Sequence, residues 1–356
     1  MVHPEMENKR YVPKGQLADA EMYLLFLCPS ICHKYLPKST KSSKKWGIVM
    51  NQTNNQSLVK QAVKSKFKGK SERVSRTHTR YPDSAEREFQ RIGRSYMRLL
   101  NKELKARLPE MMEIYKQDRY DSVNEDGFKD IEAKIRSILR EIAVNLENSL
   151  ASFDLDAKVR KIANLTNNCT LAEWKRAIKT TLGIDITQDY YKGEMYTELL
   201  ERWIAENVKA IKSMPTNTLG NLQEIILKGY KSGSSITQIR QAIQEEYNME
   251  KRRAELLARD QVATLNAQVT KMQQNDAGVK KYKWSSSKDS RVRDCHNAFD
   301  GKIFSWDNPP EAWYETKKGR VYTGRKCHPG EDYCCRCVAI PVFDYNTIDV
   351  PMKGDN

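Results

Sequence analysis

No stretch of this 356-residue chain approaches the roughly 18 consecutive apolar residues that a membrane-spanning helix needs, so no membrane partner is expected. The one apolar burst near the start, Met22 to Cys28, follows Asp19 and Glu21 and is soon broken by Pro29. It makes a poor signal peptide, and secretion by that route is not expected. The phosphate-cradling GxxxxGK(S/T) and GxGxxG patterns and the zinc-binding HExxH pattern are missing, so ATP hydrolysis and zinc-protease chemistry lose their usual warrants. What remains, 39% hydrophobic and 30% charged, describes a soluble globular chain long enough for two or three folding units.

The net charge of +15 is unevenly spread. Between Lys34 and Arg80 thirteen Lys or Arg face one acid, Glu72. That segment is rich in Ser, Lys, Asn and Gln and short of aliphatic residues, so it has little to offset the entropy of ordering. Residues 1–80 therefore read as a basic, largely disordered leader. Its residues Lys60, Lys64, Lys66, Lys68, Lys70, Arg73, Arg76 and Arg80 suit sequence-indifferent contact with DNA phosphates; the alternative is a solvated linker without a partner. Met50 opens a polar stretch typical of a natural start, and residues 1–49 are expected to be an upstream extension that is not translated.

From Tyr81 the pattern changes to helical periodicity. Pro82, Asp83 and Glu86 resemble a capping box, and Phe89, Ile92, Tyr96, Leu99 and Leu100 follow at three-to-four spacing. A second stripe holds Ile131, Ile135, Ile138, Leu139, Ile142 and Leu146. Further helices are predicted over 171–182, 196–211, 219–230, 237–247 and 251–274, with breaks at Gly183, Pro215, residues 231–235 and Gly278. Residues 81–278 thus read as an all-helical region whose apolar faces are core or docking surface.

After Gly278 short alternating segments appear: Val279, Tyr282 and Trp284 in one strand, 302–306 in a second and 337–343 in a third. Between the last two lies a Pro- and Gly-rich loop, 307–334. The fold class is therefore mainly α, a helical N-terminal region followed by a small α+β domain over 279–346, a tail over 347–356 and the disordered basic arm in front. A unit of that size has little core of its own.

Five of the eight cysteines and two of the five histidines crowd into residues 295–337. Without a secretion signal the thiols are expected to be reduced, which favours metal over disulfide. Zinc takes four tetrahedral N or S ligands, and His296, His328, Cys335 and Cys337 can supply them, with Cys295, Cys327 and Cys334 as alternates. Cys335-Arg336-Cys337 is tighter than the common finger spacing, yet alternate residues of an extended strand project the same way. One structural zinc would staple a domain short of core. The competing reading is of small buried thiols and hydrogen-bonded histidines that lock the loop without metal. No cofactor other than zinc is expected.

The ordered series Arg259, Asp260 and Asn266, then Gly278 and Trp284, then Asp289, Arg291, Val292, Arg293 and His296, then Asp300-Gly301-Lys302, His328-Pro329-Gly330 and Cys335-Arg336-Cys337 closely resembles the C-terminal domain of phage head-morphogenesis proteins, the minor head proteins of the Mu F-like family. The likeness covers about residues 256–343. Cys334 stands where that family commonly has Asn, and Cys295 and Cys327 precede the two matching histidines. The resemblance implies a low-copy, non-enzymatic virion component, made in the host cytoplasm and seated in the head interior or at the portal vertex. Its partners would be the portal and other head proteins, with residues 81–278 docking on the portal and the basic arm lying near packaged DNA. Its role would be in capsid assembly and in DNA packaging or delivery.

An enzymatic alternative remains, because such domains also occur fused to toxin-like nuclease or transferase modules. Asp289, Arg291, Arg293, His296 and His328 are residue types that bind or cleave a phosphodiester. The same residues have structural uses: Asp289 as a helix N-cap, the arginines in ion pairs and the histidines as ligands or hydrogen-bond anchors.

Overall fold

The computed structural model of the chain describes residues 52–117, 125–187 and 189–352. The expectations for residues 1–51, which include the apolar burst and the basic residues from Lys34 to Lys45, and for residues 353–356 lie outside the described residues. In chain order the elements are α1 (Gln52–Phe67), β1 (Glu72–Val74), α2 (Asp83–Gln117), α3 (Glu125–Ala151), α4 (Leu155–Leu182), a 3-10 turn (Asp189–Lys192), α5 (Glu194–Lys231), α6 (Ile236–Asp276), β2 (Lys281–Ser285), α7 (Asp294–Phe299), β3 (Ile303–Ser305), β4 (Glu311–Thr316), β5 (Gly319–Lys326) and β6 (Val338–Asp344). The main-α class with a small strand-bearing C-terminal part is as the sequence indicates.

The helical stripes meet in two apolar clusters. In one, Met97, Leu100 and Leu104 of α2 pack with Ile135 and Ile142 of α3, Leu222 and Ile226 of α5 and Ile239 and Ile243 of α6. In the other, Phe89 and Ile92 of α2 meet Val159 and Ile162 of α4, Trp203 and Ile204 of α5 and Val262 and Leu265 of α6. Helix α6 crosses both. Its 41 residues give it a length of about 60 Å, and Ser235 opens it with a complete capping box to Gln238.

Several helix boundaries differ from the periodic reading: the stretches 237–247 and 251–274 run together as the single helix α6, and two further limits shift. Pro215 does not break α5, which runs on to Lys231. Ile211 before it and Leu219, Leu222 and Ile226 after it are all buried, so apolar packing on either side outweighs the lost backbone hydrogen bond. Helix α4 begins sixteen residues earlier than the Trp174 stripe suggests, because Leu155, Val159 and Ile162 extend the buried face. At its other end Gly183 takes φ +79 and returns its N–H to the Ile178 and Lys179 carbonyls, closing the helix as expected.

Strand β1 and three strands of the C-terminal region form a four-stranded antiparallel sheet in the order β1-β6-β2-β3. Here the reading of residues 1–80 as a disordered leader needs correction over 52–80. Val59, Val63 and Phe67 form one i, i+4, i+8 stripe on α1 and are buried against Trp174, Ile178 and Phe343. Strand β1 pairs with β6, Glu72 opposite Asp344 and Val74 opposite Val342. Three apolar residues among many lysines are too few to mark the segment by composition, yet they suffice once a distant strand supplies its backbone partners. The tail reading also differs from what is observed over 347–352. Ile348 and Val350 are fully buried in the same cluster, and Met352 bridges to Ile186.

The loop expected over 307–334 contains a hairpin, β4–β5, which stands apart from the main sheet. Gly319 turns it at φ +109, and Arg320 lies 4.2 Å over the Trp313 ring. Gly278 separates α6 from β2 at φ +70, where a Cβ would sit 1.9 Å from the Thr347 carbonyl oxygen. Only glycine fits there.

Candidate metal centre

Cys335 and Cys337 lie in the extended run that enters β6, two residues apart, so their side chains project to one side. His296 sits on the one-and-a-half-turn helix α7, which packs on the hairpin strand β4. The three meet in a cluster with Trp284, Phe299, Trp306 and Trp313. His296 Nδ1 is 3.5 Å from Cys335 Sγ and 3.8 Å from Cys337 Sγ, and His296, Cys335 and Cys337 are 2%, 4% and 3% exposed.

The other face of the imidazole meets an acid that sequence reasoning missed. Asp332 Oδ2 is 3.3 Å from His296 Nε2, and Asp332 is held by Arg325 at 3.1 Å and Arg293 at 3.6 Å. Burial alone would raise the Asp332 carboxyl, but His296 and the two guanidiniums hold it well below its usual range. Burial would likewise favour neutral His296; Asp332, Cys327 and Cys335 reverse that and raise it. Of the thiols, Cys335 is pushed up by the Cys337 contact and by burial, whereas Cys337 is lowered by Cys335 and by the Trp284 side chain. The signal for Asp332 was its place inside the cysteine run, three residues before Cys335.

The remaining sequence candidates separate. His328 stands apart from the thiols: its Nδ1 is 3.0 Å from the Tyr282 hydroxyl, its ring packs on Trp306, and burial lowers it to about 3. No group of converging ligand atoms among the described residues includes it. It is the hydrogen-bonded core histidine of the competing reading. Two such groups do occur, His296 with Cys335 and Cys337, and His296 with Cys327 and Asp332. Cys295 is fully buried among the aromatics and joins neither. Cys334 turns toward α6, with its N–H on Asp260 Oδ1 at 2.8 Å and its Sγ 3.6 Å from the Leu256 carbonyl.

The motif residues on α6 tie that helix to other helices and to the C-terminal strand region. Arg259 reaches Glu86, Asp260 accepts from Cys334, and Asn266 accepts from Thr170 Oγ1 at 2.9 Å. Gly330, at φ +87, brings the chain against Ala263 and Ala267. Arg336, between the two cysteines, forms a two-pronged pair with Glu86. Glu86 thus spends its carboxylate on arginines and not on a capping box. Asp289 differs too: it accepts the Arg291 N–H in a turn, while Arg293 occupies the N-cap position of α7 without a side-chain cap.

His296, Cys335 and Cys337 line a surface cleft with an empty volume of about 320 Å³, along with Arg291, Arg293 and Arg336. Each of these arginines faces a carboxylate: Arg291 faces Asp289, Arg293 faces Asp332, and Arg336 faces Glu86 and Asp289. The cleft's positive charge is therefore largely balanced from within. Along the basic segment Lys64, Lys66, Lys68, Lys70, Arg76 and Arg80 are exposed, while Lys60 and Arg73 are half-buried. These charges ride on ordered backbone.

Against known families, the C-terminal part of the chain finds a match. Residues 220–340 match the family described as Phage Mu protein F like protein. The Mu F-like segment thus takes in the end of α5, all of α6 and the small domain up to Ile340, and starts 36 residues before the likeness seen in the sequence motifs. An uncharacterized protein of Haemophilus influenzae is 35% identical over 175 residues, which is 49% of this chain and 36% of that protein. The chain therefore spans little more than a third of that relative's length. The minor head protein GP7 of Bacillus phage SPP1 is 23% identical over 257 residues, 64% of this chain and 82% of that protein. No solved structure matches the chain significantly. Among the described residues no helix is long and apolar enough to cross a membrane.

Proposed function

We propose that this chain is a phage minor head protein, a low-copy structural component of the virion with a part in head morphogenesis. The observation that carries the reading is the Mu F-like match over 220–340 together with similarity to a minor head protein across 82% of that protein's length. In this reading the helices of residues 81–278 dock on the portal through their outer faces, because long amphipathic helices offer side surfaces for another helical protein. The exposed lysines of α1 and the following turn lie near packaged DNA and make phosphate contacts without base reading. The chain acts in capsid assembly and in packaging or delivery of DNA, in the head interior or at the portal vertex, and is not an enzyme. The internal neutralisation of the cleft arginines supports a structural use over phosphodiester cleavage. One structural zinc belongs to the same picture, as a staple for a small domain.

Co-expression with the portal protein of the same phage tests the docking role. A complex that co-purifies and survives gel filtration is expected; a chain that never associates with the portal removes that role, and nuclease activity dependent on His296 would replace the whole reading.

A further inference from the structure

We propose that His296 Nδ1, Cys335 Sγ and Cys337 Sγ bind one Zn²⁺, that Asp332 positions the imidazole from behind, and that His328 takes no part. This deepens the zinc staple of the reading above by naming its ligands, and it stands or falls independently of portal docking. The first support is metric. With Zn–N near 2.05 Å and Zn–S near 2.3 Å, a tetrahedral ion sets N and S about 3.6 Å apart. The two N···S distances are 3.5 Å and 3.8 Å, so the nitrogen-to-sulfur spacings match those about a bound ion.

The second support is what surrounds the sulfurs. The Cys337 backbone N–H points at Cys335 Sγ at 3.4 Å. The Trp284 indole nitrogen, in the same cluster, is buried without a hydrogen-bond partner. Buried N–H groups beside the sulfurs suit a charged, metal-held sulfur better than an apolar filling would.

The third support lies on the far side of the ring. A carboxylate behind a histidine fixes which nitrogen is left free for the metal and strengthens it as a ligand. Asp332 stands 3.3 Å from Nε2, and both atoms are buried without a well-aligned hydrogen bond. The alternative grouping, His296 with Cys327 and Asp332, is disfavoured because a dication there would share Asp332 with Arg293 and Arg325. One nitrogen and two sulfurs suit zinc and not magnesium or calcium. The three ligands line the surface cleft, from which a solvent molecule would supply the fourth ligand.

The test begins on the unmodified full chain, purified without chelator. About one zinc per chain is expected. After replacement by cobalt, sulfur-to-cobalt charge-transfer absorption of a strength matching two thiolates is expected, with tetrahedral ligand-field bands. Less than one zinc per ten chains in protein that is folded by circular dichroism overturns the proposal, as does a cobalt spectrum without thiolate bands. Among variants, C335S and C337S should each lose one thiolate from the cobalt spectrum or lose the metal outright. H328Q should retain zinc in full, and D332N should bind it about 10- to 100-fold more weakly. Zinc lost in H328Q while D332N binds as the unmodified chain does would overturn the ligand assignment.

Discussion

The Glu86 carboxylate in the first turn of α2 accepts Nε and Nη2 of Arg336, at 3.0 and 2.6 Å, across 250 residues of chain. Arg259 of α6 approaches the same carboxylate at 3.3 Å, and the Arg336 guanidinium lies 5.9 Å over the Tyr81 ring. One buried acid therefore binds the helices to the strand run that carries the two clustered cysteines.

Removing that acid leaves Arg259 without this counter-charge and Arg336 with only Asp289 among the described residues, 3.7 Å away, in a largely dry setting. Glu86→Ala is expected to cost about 3 kcal/mol, lowering Tm by roughly 5 °C. Thermal unfolding of E86A, R336M and the double variant checks it. A double variant closer to the parent than E86A alone is expected, and an E86A loss under about 0.5 kcal/mol would contradict the tie.

The same pair sets an acid limb. Burial pushes the Glu86 carboxyl up, but Arg336, Tyr81 and Arg259 more than reverse this and hold it below its usual range. Its folded pKa is thus lower than its unfolded one, so the contribution is complete above about pH 4.3 and fades as pH falls through the folded value. Tm measured from pH 7 to pH 3 should fall less steeply in E86Q than in the parent, relative to each protein's value at pH 7.

Cys334 occupies the left-handed region, at φ +51. Asn tolerates that conformation better than most residues. Cys334→Asn is expected to be neutral or to stabilise by up to about 1 kcal/mol, and Cys334→Val to destabilise by about 2 kcal/mol. Denaturant midpoints of the two variants decide the order.

Two glycines in the left-handed region separate strain from collision. Gly301, at φ +77, has nothing within 4 Å of a built Cβ, whereas Gly278 would meet the Thr347 carbonyl at 1.9 Å. Gly301→Ala should cost about 1–2 kcal/mol and Gly278→Ala roughly 4 kcal/mol or more. Equal losses in chemical denaturation would show that the approach of α6's end to residue 347 is not a fixed feature.

If the basic segment meets DNA, its affinity should depend on salt. Replacing Lys64, Lys66, Lys68 and Lys70 by Gln, all exposed on or just after α1, should weaken binding to unrelated duplexes alike. It should also flatten the plot of log affinity against log salt by about 0.9 for each phosphate that is no longer neutralised. A slope unchanged by the four replacements would assign DNA binding elsewhere.

Periodicity and composition were enough for the helical character of residues 81–278, though not for α1 or for every helix limit, and for the crowding of thiols and imidazoles near the C-terminus. The stripes Phe89–Ile92–Tyr96 and Ile135–Ile138–Ile142 are local facts of spacing, since a helix carries its hydrogen bonds within itself. The C-x-C pair was equally local, because alternate residues of any strand face one way. Tertiary structure decided the rest. Strand β1 exists only because β6, some 270 residues later, completes its backbone hydrogen bonds, and α5 passes Pro215 because buried neighbours hold both flanks. His296 and His328 are indistinguishable as residue types, and only the path of the hairpin and of the turn at Cys334 sets one beside the thiols and the other on Tyr282. Which side chains meet across a fold depends on the summed packing of segments far apart in sequence, and no local pattern contains that sum.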